Sequence, residues 1–112
     1  MTPEQRIQAF RAFVAKSPDE PFPRYSLAMS LRSAGQVEEA VAEFRELARR
    51  RPDYVPTWLI LGQALESLGR AGEAARTYED GIAAAIRMND QHARSELQAA
   101  LDTLRAGEVP ER

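Results

Sequence analysis

The chain has no cysteine and a single histidine, His92. That excludes a disulfide scaffold, thiolate chemistry, cysteine-held zinc and any multi-histidine metal site. Lysine is nearly absent as well. Lys16 stands against fourteen arginines, a bias that reads as GC-rich coding rather than chemistry. Charge of one sign is also missing. The net charge is −2, so no bulk electrostatic attraction for nucleic acid exists. Long apolar runs are absent too. The longest, Ile82 to Ile86, falls far short of the roughly 20 residues that span a bilayer. Met1 is followed by Thr2-Pro3-Glu4-Gln5, with neither a basic nor an apolar leader region. We therefore expect a cytoplasmic chain without a signal peptide or membrane span. What remains is ordinary: 112 residues, 44% hydrophobic and 29% charged, the makings of one small folded domain.

The chain repeats itself. At an offset of 34, Leu27 falls on Leu61, Ala28 on Gly62, Leu31 on Leu65, Gly35 on Gly69, Glu39 on Glu73, Ala40 on Ala74 and Phe44 on Tyr78. The offset also runs backwards: Phe10 falls on Phe44, Val14 on Ala48, Pro18 on Pro52 and Asp19 on Asp53. A single domain over 1–107 then divides into a half unit (2–18), two full units (21–54 and 55–88) and a capping helix (89–106), with a flexible tail at 108–112.

Each full unit reads as two helices. Pro23 and Pro56 sit in first turns, where a missing N–H costs nothing. Leu27, Leu31 and Ala34, then Leu61, Leu65 and Leu68, recur at helical spacing. Gly35 and Gly69 supply the left-handed residue that ends each first helix. Val37, Ala40, Val41, Phe44, Leu47 and Ala48 form one face of the next helix until Pro52 stops it. Ala71, Ala74, Ala75 and Tyr78 do the same in the second unit. No proline follows there, Ile86 standing in its place, so this helix should be the longest. Thr2-Pro3-Glu4-Gln5 has capping-box spacing before an apolar face of Ile7, Phe10, Phe13 and Val14. Asn89-Asp90 opens the last helix, whose stripe is Ala93, Leu97, Ala100, Leu101 and Leu104, and Gly107 ends it. Six helices and no strands follow. A two-helix unit cannot bury its apolar face alone, so neighbours must stack and end helices must shield the stack. The small residues Ala28, Ala40, Gly62 and Ala74 are placed where helices cross closely, and Phe44 and Tyr78 are placed to fill the space between successive units.

This punctuation resembles the tetratricopeptide repeat, in the style of its small bacterial members. Trp58, Leu61, Gly62, Gly69, Ala74 and Tyr78 stand at the family's tryptophan, leucine, glycine, turn-glycine, alanine and aromatic positions. In the first unit Leu27, Ala28, Leu31, Gly35, Ala40, Phe44, Leu47 and Pro52 match, while Arg24 takes the tryptophan position. The resemblance implies an all-α, right-handed superhelical stack of antiparallel helix pairs. It also implies a non-catalytic adaptor or scaffold that holds a peptide or protein segment on the concave face of the first helices. Carried onto this chain, that face bears Phe22, Tyr25, Ser26, Met29, Arg32 and Ser33 from one unit and Pro56, Leu59, Ile60, Gln63, Glu66 and Ser67 from the next. Phe22, Tyr25, Met29, Leu59 and Ile60 make it unusually apolar, as an interaction surface is. Two readings stay open: the face takes an outside partner, or it closes a homodimer. The terminal helices could also fold over it. Members that clamp acidic chaperone tails use lysine and asparagine here. This chain has Tyr25, Met29, Pro56 and Ile60, with Arg32 the sole nearby cation.

Other clusters carry less. Arg49-Arg50-Arg51, with Arg45, is the one basic cluster, and it lies at a helix C-terminus beside Glu43 and Glu46. With no stacking aromatics around it, nucleic-acid binding is not expected. Glu38-Glu39 and Glu79-Asp80 are adjacent on helices and point about 100° apart, so neither pair can flank one bond. His92 reads as a surface residue in a first turn. No nucleophile has a base at a suitable spacing. We expect no catalysis, no cofactor and no metal.

Overall fold

A computed structural model describes residues 1–107 as α1 (Pro3–Lys16), α2 (Pro21–Ser33), α3 (Val37–Arg50), α4 (Pro56–Ser67), α5 (Ala71–Arg87) and α6 (Gln91–Ala106). No strand occurs among the described residues. The tail expected at 108–112 lies outside them. Each helix packs on the next, and α4 also reaches α6. The radius of gyration is 14.7 Å, against about 13 Å for a compact domain of this length. The extra extent is that of an all-α helical solenoid.

Local chemistry sets the helix ends. The Thr2 hydroxyl accepts from Gln5 N at 3.1 Å and the Gln5 side chain accepts from Thr2 N at 2.8 Å, closing the capping box. Gly35 and Gly69 take φ of 82° and 74°. Beyond them Gln36 N donates to Leu31 O and Arg70 N to Leu65 O, both at 2.9 Å, so each turn satisfies a carbonyl that the helix end would orphan. The same device recurs after α5 with a different residue. Asn89 takes φ 55° and Asp90 N donates to Ala85 O at 2.8 Å. Asn89 therefore ends α5 instead of opening α6. Asp90 alone caps α6, accepting from Ala93 N at 3.0 Å. With 17 residues, α5 is the longest helix, as the missing proline predicts.

Close crossings explain the small residues. Ala28, Ala40 and Ala74 are fully buried. A Cβ on Gly62 would lie 2.1 Å from Tyr78 Cε1, so only hydrogen fits beneath that ring. The Tyr78 hydroxyl donates to Glu66, and Phe44 meets Tyr25 edge-on at 5.9 Å. These particular contacts of the two rings lie within their own units, and both rings belong to the one core that runs through the stack. Gly81 is a second close approach, unmarked in the sequence: its Cβ would sit 2.5 Å from Trp58 Cβ and 3.1 Å from the Leu97 methyls. The position falls between the first helix of its own unit and that of the next.

That geometry accounts for one departure from the expected core, and a helix end accounts for another. Phe13 stands 34 residues before Leu47 and 68 before Gly81, yet it is 56% exposed where Leu47 is 1%. Its half unit has no first helix to cover it. Ala34, expected in the stripe of α2, is the exposed C-cap of that helix. A third difference is chemical. Trp58 Nε1 donates to Pro52 O at 3.0 Å, and Arg24, its counterpart, reaches Pro18 O at 3.5 Å and Glu43 at 2.8 Å. A buried guanidinium thus replaces the indole against the equivalent carbonyl. Its Nε has no partner.

Candidate functional site

The second helices carry charge. Arg11 pairs with Glu39 at 3.1 Å, Arg45 with Glu73, and Arg70 with Glu38 at 3.0 Å. Arg105 joins α6 to α5 through Glu79 at 2.6 Å. The first two pairs are the same contact one repeat apart, since 11 and 39 become 45 and 73. The adjacent carboxylates Glu38 and Glu39 are thus turned to different neighbours, the start of α5 and α1. The arginine cluster is paired too. Glu46 takes Arg49 and Arg50, both at 2.6 Å, Asp19 takes Arg50 at 2.7 Å, and Arg51 faces Asp53 at 3.4 Å. Hydrogen bonds from Arg49 and Arg50 hold the Glu46 carboxyl down to about 2, and those from Arg70 and Arg45 do the same for Glu73.

The first helices carry a cleft of about 320 Å³. Tyr25 of α2 forms one side. Val55, Pro56, Leu59, Ile60 and Gln63 line it from the start and body of α4. Its remaining wall is the opening of α6: Asp90, His92, Ala93, Glu96 and Leu97. Helical periodicity makes this face from α4. Leu61 and Leu65 point inward to the core, which leaves Leu59, Ile60 and Gln63 turned aside. Tyr25 is held by edge contacts to Phe44 at 5.9 Å and Tyr54 at 5.8 Å, so its ring is fixed. Burial raises its phenol pKa, with Tyr54 adding to the rise and Arg32 opposing it.

Of the residues expected on this face, the structure brings Tyr25, Pro56, Leu59, Ile60 and Gln63 into one cleft. Phe22 is 67% exposed in the first turn of α2 and lies outside the lining. Met29 packs part-buried against the core, and neither it nor Arg32 lines the cleft. Glu66 is engaged by the Tyr78 hydroxyl, whose own pKa burial and that carboxylate push well above the usual phenol value. Ser67 donates to Ala64 O at 2.7 Å. Ser26 and Ser33 are likewise outside the lining.

The wall from α6 is what sequence reasoning missed. There α6 is expected as a cap. In the structure it follows α5 as a further first helix, with Leu97 and Leu101 buried 36 residues after Leu61 and Leu65. The extra residues of α5 shift the register away from 34, so the repeat pattern does not announce it. Nor does α6 lie across the cleft: it forms one side. His92, expected at the surface, is on the rim with its side chain 87% exposed and Nε2 at 3.4 Å from Glu96.

Among the described residues, no three or more histidines, aspartates or glutamates gather as metal ligands do, and no helix is long and apolar enough to cross a membrane. The polar groups of the cleft, Tyr25 hydroxyl, Gln63 amide and the two carboxylates, can hydrogen-bond a chain laid over the apolar floor. Stacked helix pairs with a cleft across their first helices define a helical-repeat protein. The tetratricopeptide repeat profile matches residues 25–90, more than half of the sequence, and the chain belongs to that family.

Solved structures agree. A tetratricopeptide repeat domain protein from Salinibacter ruber is 36% identical, with a TM-score of 0.80, covering 86% of this chain and 97% of that one. PcrH in complex with the chaperone-binding region of PopD is similar in fold alone, at 15% identity and a TM-score of 0.86, covering 96% of this chain and 81% of that one. So is the TPR2B domain of yeast Sti1 in its pHsp70 complex, at 14% and 0.82, covering 90% and 81%. No curated protein matches the chain.

Proposed function

We propose that this chain is a non-catalytic protein-interaction module that holds an apolar peptide or protein segment in the cleft between Tyr25, Leu59, Ile60 and the opening of α6. The observation that carries the reading is the cleft itself. It lies on the first helices, its lining is mostly apolar surface, and its polar groups come from Tyr25, Gln63 and the α6 wall, as in sites that bind by burying a side chain or two. Family membership supports it. So do two fold neighbours whose names describe complexes, PcrH with a region of PopD and Sti1 TPR2B with pHsp70.

The test is selection of peptides from a random displayed library on the folded chain, repeated on Ile60→Asp. Ile60 packs part-buried against the core, so circular dichroism first establishes that the variant keeps the parent's helix content while the floor gains a charge. Apolar peptides that bind the parent and not Ile60→Asp support the reading. Equal binding to both removes it. Light scattering across concentration addresses self-association. A dimer that Ile60→Asp dissociates would mean that the cleft serves a second copy of the chain, whereas a monomer at all concentrations leaves it for another partner.

A further inference from the structure

The wall that α6 contributes is acidic. Asp90 and Glu96 both line the cleft, and no lysine or arginine does. His92, the one basic side chain present, is positive only when protonated. The cations nearest in sequence, Arg87 and Arg94, lie outside the lining, Arg94 meeting Asp90 in a separate pocket with Ile86 and Asn89. Arg32 lies beside Tyr25 outside it, and Arg105 is paired with Glu79. The opposite side, formed by Tyr25, Leu59 and Ile60, is apolar. Charge and apolar surface therefore line the same cleft.

We infer that the segment bound in this cleft carries a lysine or arginine next to its apolar residues, the apolar part against Tyr25, Leu59 and Ile60 and the cation against Glu96 and Asp90. This rests on the reading of the cleft as a binding site. It sets the preferred partner opposite in sign to the acidic tails that lysine-lined grooves accept. The physical reason is complementarity at a rim. An acidic residue brought beside two carboxylates is repelled, a basic one is attracted, and both effects act on encounter as well as on residence. Glu96 is half-exposed, with 49% of its side chain accessible, so the effect is modest and screened by salt.

The experiment keeps this inference separate from the reading beneath it. Random dodecapeptides are selected on the parent, on Glu96→Lys and on Ile60→Asp. Asp90 is left intact because it caps α6. The expected result is apolar peptides enriched in lysine and arginine on the parent, with the bias swinging toward aspartate and glutamate on Glu96→Lys. A selected basic peptide then binds Glu96→Lys about 2–5-fold more weakly than the parent at low salt, the difference shrinking as salt rises. Apolar peptides without charge bias, or a bias that Glu96→Lys leaves unchanged, overturn the inference while the cleft remains a binding site. Failure to enrich apolar peptides, or enrichment that survives on Ile60→Asp, overturns both.

Discussion

The two faces of this stack use the same helices to opposite ends. On α1, α3 and α5, arginine and glutamate from successive units find each other, as in Arg11–Glu39 and Arg45–Glu73, and those charges are paired inside the molecule. On α2, α4 and α6, the outward residues are Tyr25, Leu59, Ile60 and Gln63, and no arginine or lysine lines the cleft beside the carboxylates of the α6 wall. One face spends its chemistry on holding units together. The other leaves its chemistry for something that is not part of the chain. Between them lies the core, where small residues let the two sets of helices approach.

The largest expected effect comes from breaking that core, because it destroys both faces at once. Gly62→Leu pushes a side chain into the Tyr78 ring, whose nearest carbon already lies 2.1 Å from where a Cβ would be. We predict a loss of about 3 kcal/mol in urea unfolding, the upper end of overpacking costs. A loss below about 0.5 kcal/mol would mean that the crossing is looser than described.

The next effect contrasts the two units. Arg24→Ala leaves part-buried Glu43 without its partner and should cost about 2 kcal/mol. The paired exchange Arg24→Trp with Glu43→Thr installs the residues of the second unit, Trp58 and Thr77, one repeat earlier. It should stay within about 1 kcal/mol of the parent, since the indole can reach Pro18 O as Trp58 reaches Pro52 O, and the unpartnered Nε disappears. Thermal melts of the three proteins decide. A double variant no better than Arg24→Ala would show that the units are not interchangeable.

Acid sharpens the comparison by acting on the charged face. Glu46 and Glu73 titrate near 2 when folded, below their ordinary 4.5. A depressed carboxyl stabilises above its unfolded value, so this contribution is whole above pH 4.5 and is lost as pH falls toward 2. The melting temperature should drop across that interval. Glu46→Gln with Glu73→Gln should flatten part of the drop, and an unchanged profile would mean that these pairs do not hold the fold. The smallest effect is a single exposed link. Arg11→Ala should cost under about 1 kcal/mol by chemical unfolding, as surface pairs do.

How far the sequence could be read depends on how local each cause is. The capping box at Thr2, the turns at Gly35 and Gly69 and the length of α5 rest on residues a few positions apart, and all are legible. Asn89 was harder: its side chain suits either a cap or a left-handed turn, and only the length of α5 decides. The exposure of Phe13 was hidden because it depends on a helix that the half unit lacks. Half of the cleft was legible: Leu59 and Gln63 fall out of the α4 periodicity, while Pro56 and Ile60 come only with the family resemblance. The α6 wall was not, because its register follows from the extra turn of α5 and from packing of Leu97 beside Gly81. Met29, Arg32 and Glu66 share the periodicity of the face, but periodicity does not say how far along a helix a cleft extends.

The most direct test of the account is a map of backbone amide shifts by NMR as a selected apolar peptide is added. The account predicts perturbations gathered at Tyr25, at Leu59 to Gln63 and at the opening of α6, with the amides around Arg11, Glu39, Arg45 and Glu73 unmoved. Perturbations centred on that charged face, with the cleft silent, would contradict it.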